Sequence, residues 1–219
     1  MSSLPRYNLL APVYNVGIAG DFFYRKARRE AIDQLDLAAG DRVMILFCGT
    51  GFDFELIKEQ ITKTGYIIAV DGAAGMLKRA RSRSRKLAFA NGQIDFLQAD
   101  FSQDSGVAKI CEAIQTVKPA KLLISMGMNC MADWKPFFTT VFETLEAGTK
   151  ISMFDLYSDA LNIRTRILNG VGAGDCRREI WQGLKSVSVG FHLNKMKIDR
   201  LLGVSLFTAS GFKPAAVSE

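Results

Sequence analysis

Four short segments of this chain hold residues that suit the binding of a nucleoside. The first is the stretch VMILFCGTGFDF at residues 43–54. There an apolar run stops at Cys48-Gly49-Thr50-Gly51 and an amphipathic run follows. Gly49 and Gly51 can take backbone angles closed to other residues and let a ligand approach the main chain. A helix after them would offer free N–H groups at its first turn. A purely structural tight turn has the same appearance. The second segment ends at Asp71, 20 residues after Gly51. An acid at the end of a strand can accept hydrogen bonds from both ribose hydroxyls, and it can equally cap the next helix. The third, Leu97-Gln98-Ala99-Asp100-Phe101, places an acid where it could accept from an adenine amino group. The fourth is the methionine-rich run from Met126 through Asn129 to Met131. It reads either as adaptable core filling or as the floor of a cofactor and substrate site. Order and spacing make the four together more specific than any one.

These residues need a frame, and the sequence supplies one. Short apolar, β-rich runs at residues 42–47, 66–70, 94–98, 121–126 and 150–156 alternate with helical stretches. That alternation predicts an α/β sheet of mainly parallel strands. Ligands then bind outside the carboxyl ends of the strands, where all four segments fall. Trp134, Phe137, Phe138, Val141, Phe142 and Leu145 form a broad apolar stripe at helical spacing. Phe54, Ile57 and Ile61 mark the helix after the glycine turn; Met76, Leu77, Ala80 and Leu87 mark a weaker one. Residues 104–117 supply another, closed by Pro119. Residues 1–40 read as N-terminal helices, the second carrying Phe23, Ala27, Ala31, Ile32 and Leu35 on one side. Residues 157–219 read as a helical insertion and two late strands, near 186–193 and 201–210. The expected organisation is one domain, with a helical cap at 1–40, a cofactor core at 41–157 and substrate-side elements at 158–219.

Bulk properties narrow the classes. A chain of 219 residues can bury one substantial core. No apolar run reaches the ~18 to 20 residues of a membrane span, and the start lacks a signal-peptide pattern, so a cytoplasmic protein is expected. Cys48, Cys111, Cys130 and Cys176 contain no C-x-x-C pair, and His192 is the only histidine. That argues against a zinc site and for reduced thiols. His192 is expected to be structural. The net charge of +6 is concentrated in Lys78–Lys86, KRARSRSRK, with six basic residues; elsewhere 22 basic residues face 22 acids. A solvated helix face explains such a run better than nucleic acid does, with an anionic membrane surface or phosphorylated partner as the alternative. Arg25, Lys26, Arg28 and Arg29 beside Phe22, Phe23 and Tyr24 allow the same two readings, a solvated face or peripheral membrane contact.

The core at residues 40–157 resembles the class I S-adenosylmethionine (SAM)-dependent methyltransferases. CGTG matches their glycine motif, AVDGAAGMLKRAR their ribose-acid segment, LQADF their adenine-side motif, and LEAGTKISMFDLY the connection into their fifth strand. YNLLAPVYN is similar to the opening of quinone-biosynthesis and bacterial phosphatidylethanolamine methyltransferases, and GAGDCRREIWQGLKSVSVGFHL lies closer to the phospholipid N-methyltransferase side. The resemblance implies a Rossmann-like, mostly parallel seven-stranded sheet with helices on both faces and an N-terminal helical cap. It implies SAM held by Cys48, Gly49, Thr50, Gly51, Asp71, Gly72, Met76, Asp100, Phe101 and Met126. Tyr7, Tyr14 and Asn129 are its substrate-side candidates, with Tyr14 and Asn129 the closest to catalytic residues; packing of the cap against the sheet explains the tyrosines equally. The implied reaction is methyl transfer to a small-molecule or lipid-like acceptor, an amine headgroup or a quinone-like ring, with no nucleic-acid partner. The glycine motif departs from the family at two places. Ile45 stands where an acid that helps hold the methionine amino group is usual, and Phe47 stands at the first glycine. Non-methylating SAM chemistry or an inactive binding module is the alternative that this departure motivates.

Overall fold

The computed structural model describes residues 24–158, 169, 174–199 and 204–215. Five parallel strands, β1 (Arg42–Leu46), β2 (Tyr66–Asp71), β3 (Ile94–Gln98), β4 (Lys121–Ser125) and β5 (Lys150–Tyr157), are followed by β6 (Val189–Asp199) and β7 (Val204–Phe212). They form one sheet in the order β3-β2-β1-β4-β5-β7-β6, with β7 antiparallel to both neighbours. The order reverses between β1 and β4, so a crevice opens at the carboxyl ends there.

Alternation along each strand decides which layer a residue joins. Val43 and Ile45 of β1 face one side, with Ile67 and Ala69 of β2 and Leu123 of β4. Met44 and Leu46 face the other, with Ile68, Val70, Leu122 and Ile124. Helices α1 (Arg25–Asp33), α2 (Phe54–Ile61) and α3 (Ala74–Lys86) cover the first side through Ala27, Ala31, Ile32, Phe54, Ile57, Ile61, Leu77 and Ala80. Helices α4 (Asp104–Val117), α5 (Trp134–Thr144) and α6 (Trp181–Val187) cover the second. The aromatic stripe of α5 is buried as its spacing requires: Trp134, Phe137, Phe138, Val141 and Phe142 all face the core. At about 1.5–3 kcal/mol per large side chain, that face contributes on the order of 10 kcal/mol before ordering costs. Helix α4 stops at Lys118, which takes a left-handed conformation just before Pro119.

Three sequence expectations need correction. Ser186 and Val187 belong to α6 rather than to a strand, because Trp181 and Leu184 anchor that turn against the sheet; the strand begins at Val189 and runs to Asp199. The last strand starts at Val204 and extends to Phe212, while residues 201–203 lie outside the described residues. Helix α1 lies on the sheet near β4, β5 and β7. Glu30 Oε1 fixes it there, accepting from Asn194 Nδ2 at 2.7 Å and Thr208 Oγ1 at 2.8 Å. Arg28, expected on a basic outer side, is 5% exposed and pairs with buried Asp53 at 2.5 Å. Arg25, Lys26 and Arg29 do face outward. His192 lies in β6 opposite Ser210. No helix among the described residues is long and apolar enough to cross a membrane.

Candidate functional site

A cavity of about 720 Å³ opens at the carboxyl ends of β1 to β4, within the size range of small-molecule sites. Asp71, the last residue of β2, reaches into it. Its Oδ2 accepts from Gly49 N at 2.8 Å and its Oδ1 from Ala73 N at 2.9 Å. The acid thus ties the glycine turn to the start of α3. Each oxygen keeps a second lone pair for a ligand hydroxyl. Burial pushes its pKa up to about 6, against the lowering pull of the Ala73, Gly49 and Gly72 N–H groups. Gly49 has φ +53, and a Cβ there would meet no atom within 4 Å. The open space above it is the room a ligand needs to lie on the main chain.

Asp100 follows β3 and also lines the cavity. Its Oδ1 accepts from Ser102 N at 3.0 Å and Ser102 Oγ at 2.7 Å, closing a small turn. Helix α4 passes close over this turn only because residue 106 is glycine: a Cβ there would lie 2.0 Å from the Asp100 carbonyl oxygen. Gly72, Met76, Phe101 and Met126 line the same space. Phe47 does so too, at φ +59, and Met126 stands at φ +41. The Phe47 ring stacks on Phe101 with centroids 3.9 Å apart, and Phe137 meets Phe101 edge-on at 5.5 Å. Phe47 therefore forms a wall of the cavity and leaves it open. Ile45 is fully buried among the α1, α2 and α3 contacts.

The remaining expected site residues sit differently. Cys48 packs on the α1–α3 side, where burial, then Asp71 and Asp53, pushes its thiol well above the usual range. Thr50 is buried and its carbonyl accepts from Arg83 Nε at 3.0 Å. Gly51 lies against the Phe54 ring, which a Cβ would strike at 2.4 Å. None of these three lines the cavity. Asn129 is also buried off the lining; its Nδ2 donates to the Leu156 carbonyl at 2.5 Å, and its Oδ1 has no partner among the described residues. Tyr7 and Tyr14 lie outside the described residues.

Sequence reasoning missed the residues that hold the methionine-rich loop. Asp155 Oδ2 accepts from Gly127 N at 3.1 Å and Asn129 N at 3.2 Å. Burial raises its pKa, opposed by those N–H groups and that of Leu156. Arg178 Nη1 donates to the carbonyls of Asn129 and Met131, at 2.8 and 2.6 Å. Asp155 had a visible signal, an acid at the end of the fifth apolar run. Arg178 had none, since its partners are main-chain atoms 49 and 47 residues away.

The acidic lining is the dominant electrostatic feature. Asp71, Asp100, Asp104 and Asp133 face the cavity, and no Lys, Arg or His does so among the described residues. Glycine turn, strand-end acid, open sheet and cavity at the reversal of strand order together match the Rossmann-like class I methyltransferase fold. The model of the ubiE/COQ5 methyltransferase family matches residues 7–165, and the chain belongs to that family. Methyltransferases of this fold draw on SAM, which supplies a methyl group already activated on a sulfonium.

Curated relatives match over part of the chain. The 23S rRNA (uracil(1939)-C(5))-methyltransferase RlmD of Shewanella denitrificans is 36% identical over 77 residues, 34% of this chain and 16% of that protein. The RlmD of Stenotrophomonas maltophilia is 36% identical over 75 residues, again 34% of this chain and 16% of that protein. The match thus spans about a sixth of those relatives. Among solved structures, the [4+2]-cyclase SpnF superposes with a TM-score of 0.70 at 11% identity, covering 97% of this chain and 95% of that one. The putative methyltransferase in complex with the Haloferax volcanii Trm112 methyltransferase activator gives 0.67 at 15%, covering 95% and 97%. Geranyl diphosphate C-methyltransferase from Streptomyces coelicolor A3(2) gives 0.66 at 11%, covering 90% and 82%. At these identities the likeness shows the fold alone.

Proposed function

We propose that this enzyme transfers the methyl group of SAM to a small, lipid-like acceptor, an amine headgroup or a quinone-like ring. Asp71 holds the ribose hydroxyls, Asp100 and Phe101 border the adenine, and Gly49 carries the chain leading to the sulfur. Met126 and Gly127 stand beside the methyl group. The single observation that supports this placement best is the anchored Asp71 beside the open Gly49, at the mouth of a 720 Å³ cavity. A polyphosphate acceptor such as RNA is disfavoured because four carboxylates and three phenylalanine rings line the cavity, with no cation among the described lining residues. A polyanion would be repelled there. The exposed cations Arg25, Lys26 and Arg29 on α1, with Lys78, Arg81 and Arg85 on α3, support peripheral contact with an anionic lipid surface. Sedimentation with anionic and neutral vesicles tests that contact; equal recovery from both opposes it.

Incubation with methyl-labelled SAM and a panel of a quinol, a phosphatidylethanolamine and an RNA fragment tests the acceptor. The expected outcome is label in one of the first two. Label in RNA alone refutes the acceptor reading. SAM binding with no labelled product from the whole panel favours a non-methylating use of the cofactor, the reading that Ile45 and Phe47 otherwise motivate.

A further inference from the structure

Phe47 directly follows β1 and holds φ +59, a conformation that costs a bulky residue on the order of 1–2 kcal/mol. In place of a glycine it puts a ring into the cavity wall, stacked on Phe101 at 25° between planes and edge-on to Phe137 at 6.0 Å. The strand order tells what that ring faces. Asp100 follows β3, Asp71 ends β2, Phe47 follows β1, and Met126 with Gly127 follows β4, on successive neighbours. Neighbouring strands are about 4.8 Å apart. A nucleoside with its base beyond β3 and its sugar beyond β2 carries its 5′ substituent one strand further, to the end of β1. Four acids on the lining, and no described cation, leave that space favourable to positive charge.

We infer that Phe47, backed by Phe101, is an aromatic wall for the sulfonium charge of SAM, by which the site separates the charged donor from the neutral product. The inference rests on the cofactor placement proposed above. When the methyl group moves, an electron pair of the acceptor forms the new bond to carbon. The pair of the broken S–C bond stays on sulfur, and the acceptor's proton leaves to solvent. Sulfur is then a neutral thioether, and its attraction to the ring quadrupole is lost. An attraction strongest before transfer does not lower the chemical barrier. It sets the order of affinity, so that S-adenosylhomocysteine (SAH) is released and SAM taken up. Phe47 is a specificity residue for the cofactor's charge state.

Titration calorimetry tests this with three ligands: SAM, SAH, and sinefungin, whose protonated amine replaces the sulfonium. The wild-type protein is expected to bind SAM and sinefungin about tenfold more tightly than SAH. In Phe47→Leu, of similar bulk and without a π face, that ratio falls to about threefold or less, while SAH affinity stays within about twofold. The remaining preference belongs to the carboxylates. Phe47→Tyr keeps the wild-type ratio. Should Phe47→Leu fail to fold by circular dichroism, Phe101→Leu removes the backing ring and is expected to reduce the ratio as well. Equal wild-type affinity for SAM and SAH overturns the inference, as does an unchanged ratio in a folded leucine variant. If none of the three ligands binds, the cofactor placement itself fails, a result distinguishable from binding without charge preference.

Discussion

Asp71→Asn separates the acid's binding role from its structural one. The carboxylate is partly buried, and desolvation raises its pKa from 3.8 to about 6. Being raised, it makes the folded state bind more protons than the unfolded one between those values, so stability falls as pH rises through that window. The charge therefore costs the fold about 3 kcal/mol at pH 7. Asparagine removes that cost, but its amide has one acceptor, so its NH₂ must face the N–H of either Gly49 or Ala73. That conflict costs about 1–3 kcal/mol. The two terms offset, and the variant is expected to fold with a midpoint near wild type. Binding has no such compensation. Two ribose hydroxyls lose charge-assisted acceptors, at about 1–2 kcal/mol each, which weakens SAH on the order of 30- to 1000-fold by calorimetry. The sign of the pH effect is opposite to that on stability. Hydroxyls donate to the ionised form, so wild-type affinity is full above pH ~7, falls to about half at pH ~6 and to about a tenth by pH 5. The variant is flat over this range, which separates Asp71 from the other acids facing the cavity, Asp100, Asp104 and Asp133. SAH binding within twofold of wild type in Asp71→Asn, or an unchanged pH slope, refutes the reasoning.

Three further substitutions probe the frame around the site. Gly106→Ala puts a methyl 2.0 Å from the Asp100 carbonyl, so α4 must shift; a loss of about 1–3 kcal/mol in urea unfolding is expected, together with weaker SAH binding. Arg28→Met leaves Asp53 charged and buried, with about 3–5 kcal/mol lost, and the double variant Arg28→Met/Asp53→Leu recovers most of it; an additive double loss opposes this account. Arg178→Ala strips a charged donor from the carbonyls of Asn129 and Met131, at a cost of about 3 kcal/mol. Arg178→Lys is expected to restore part of that in thermal unfolding, because one ammonium can still reach at least one carbonyl.

Periodicity made the layers readable in advance. The spacing of Phe54, Ile57 and Ile61, and of the α5 aromatics, fixes which helix face is buried, and the structure buries those residues. The positions of Asp71, Asp100 and Gly49 were readable for a related reason: each follows directly on an apolar run, so strand ends locate it. Failures fall where partners are distant in sequence. Arg28 looked like one more cation on a basic helix side, yet Asp53, 25 residues on, draws it inward. Asn129 looked like a ligand contact, yet Leu156 and Asp155 hold it beneath the loop. Ser186 and Val187 looked like strand because local β-propensity carries no knowledge of Trp181 packing on Tyr157 and Phe207.

Strain distinguishes this site from a merely well-packed crevice. Phe47 and Met126 follow adjacent strands, both line the cavity, and both hold positive φ without being glycine. Each such conformation costs about 1–3 kcal/mol and persists only where surrounding contacts over-determine it. Those contacts are present. Phe101 and Phe137 pack on the Phe47 ring, and residue 127 must be glycine, since a Cβ there would lie 2.7 Å from Phe47 Cδ1. Asp155 then holds the Gly127 N–H from below, and Met126 N donates to the Phe154 carbonyl at 3.1 Å. Relaxing Phe47 would disturb its stack on Phe101, which directly follows Asp100. The ring proposed to face the sulfur and the residue proposed to border the adenine thus share one aromatic contact.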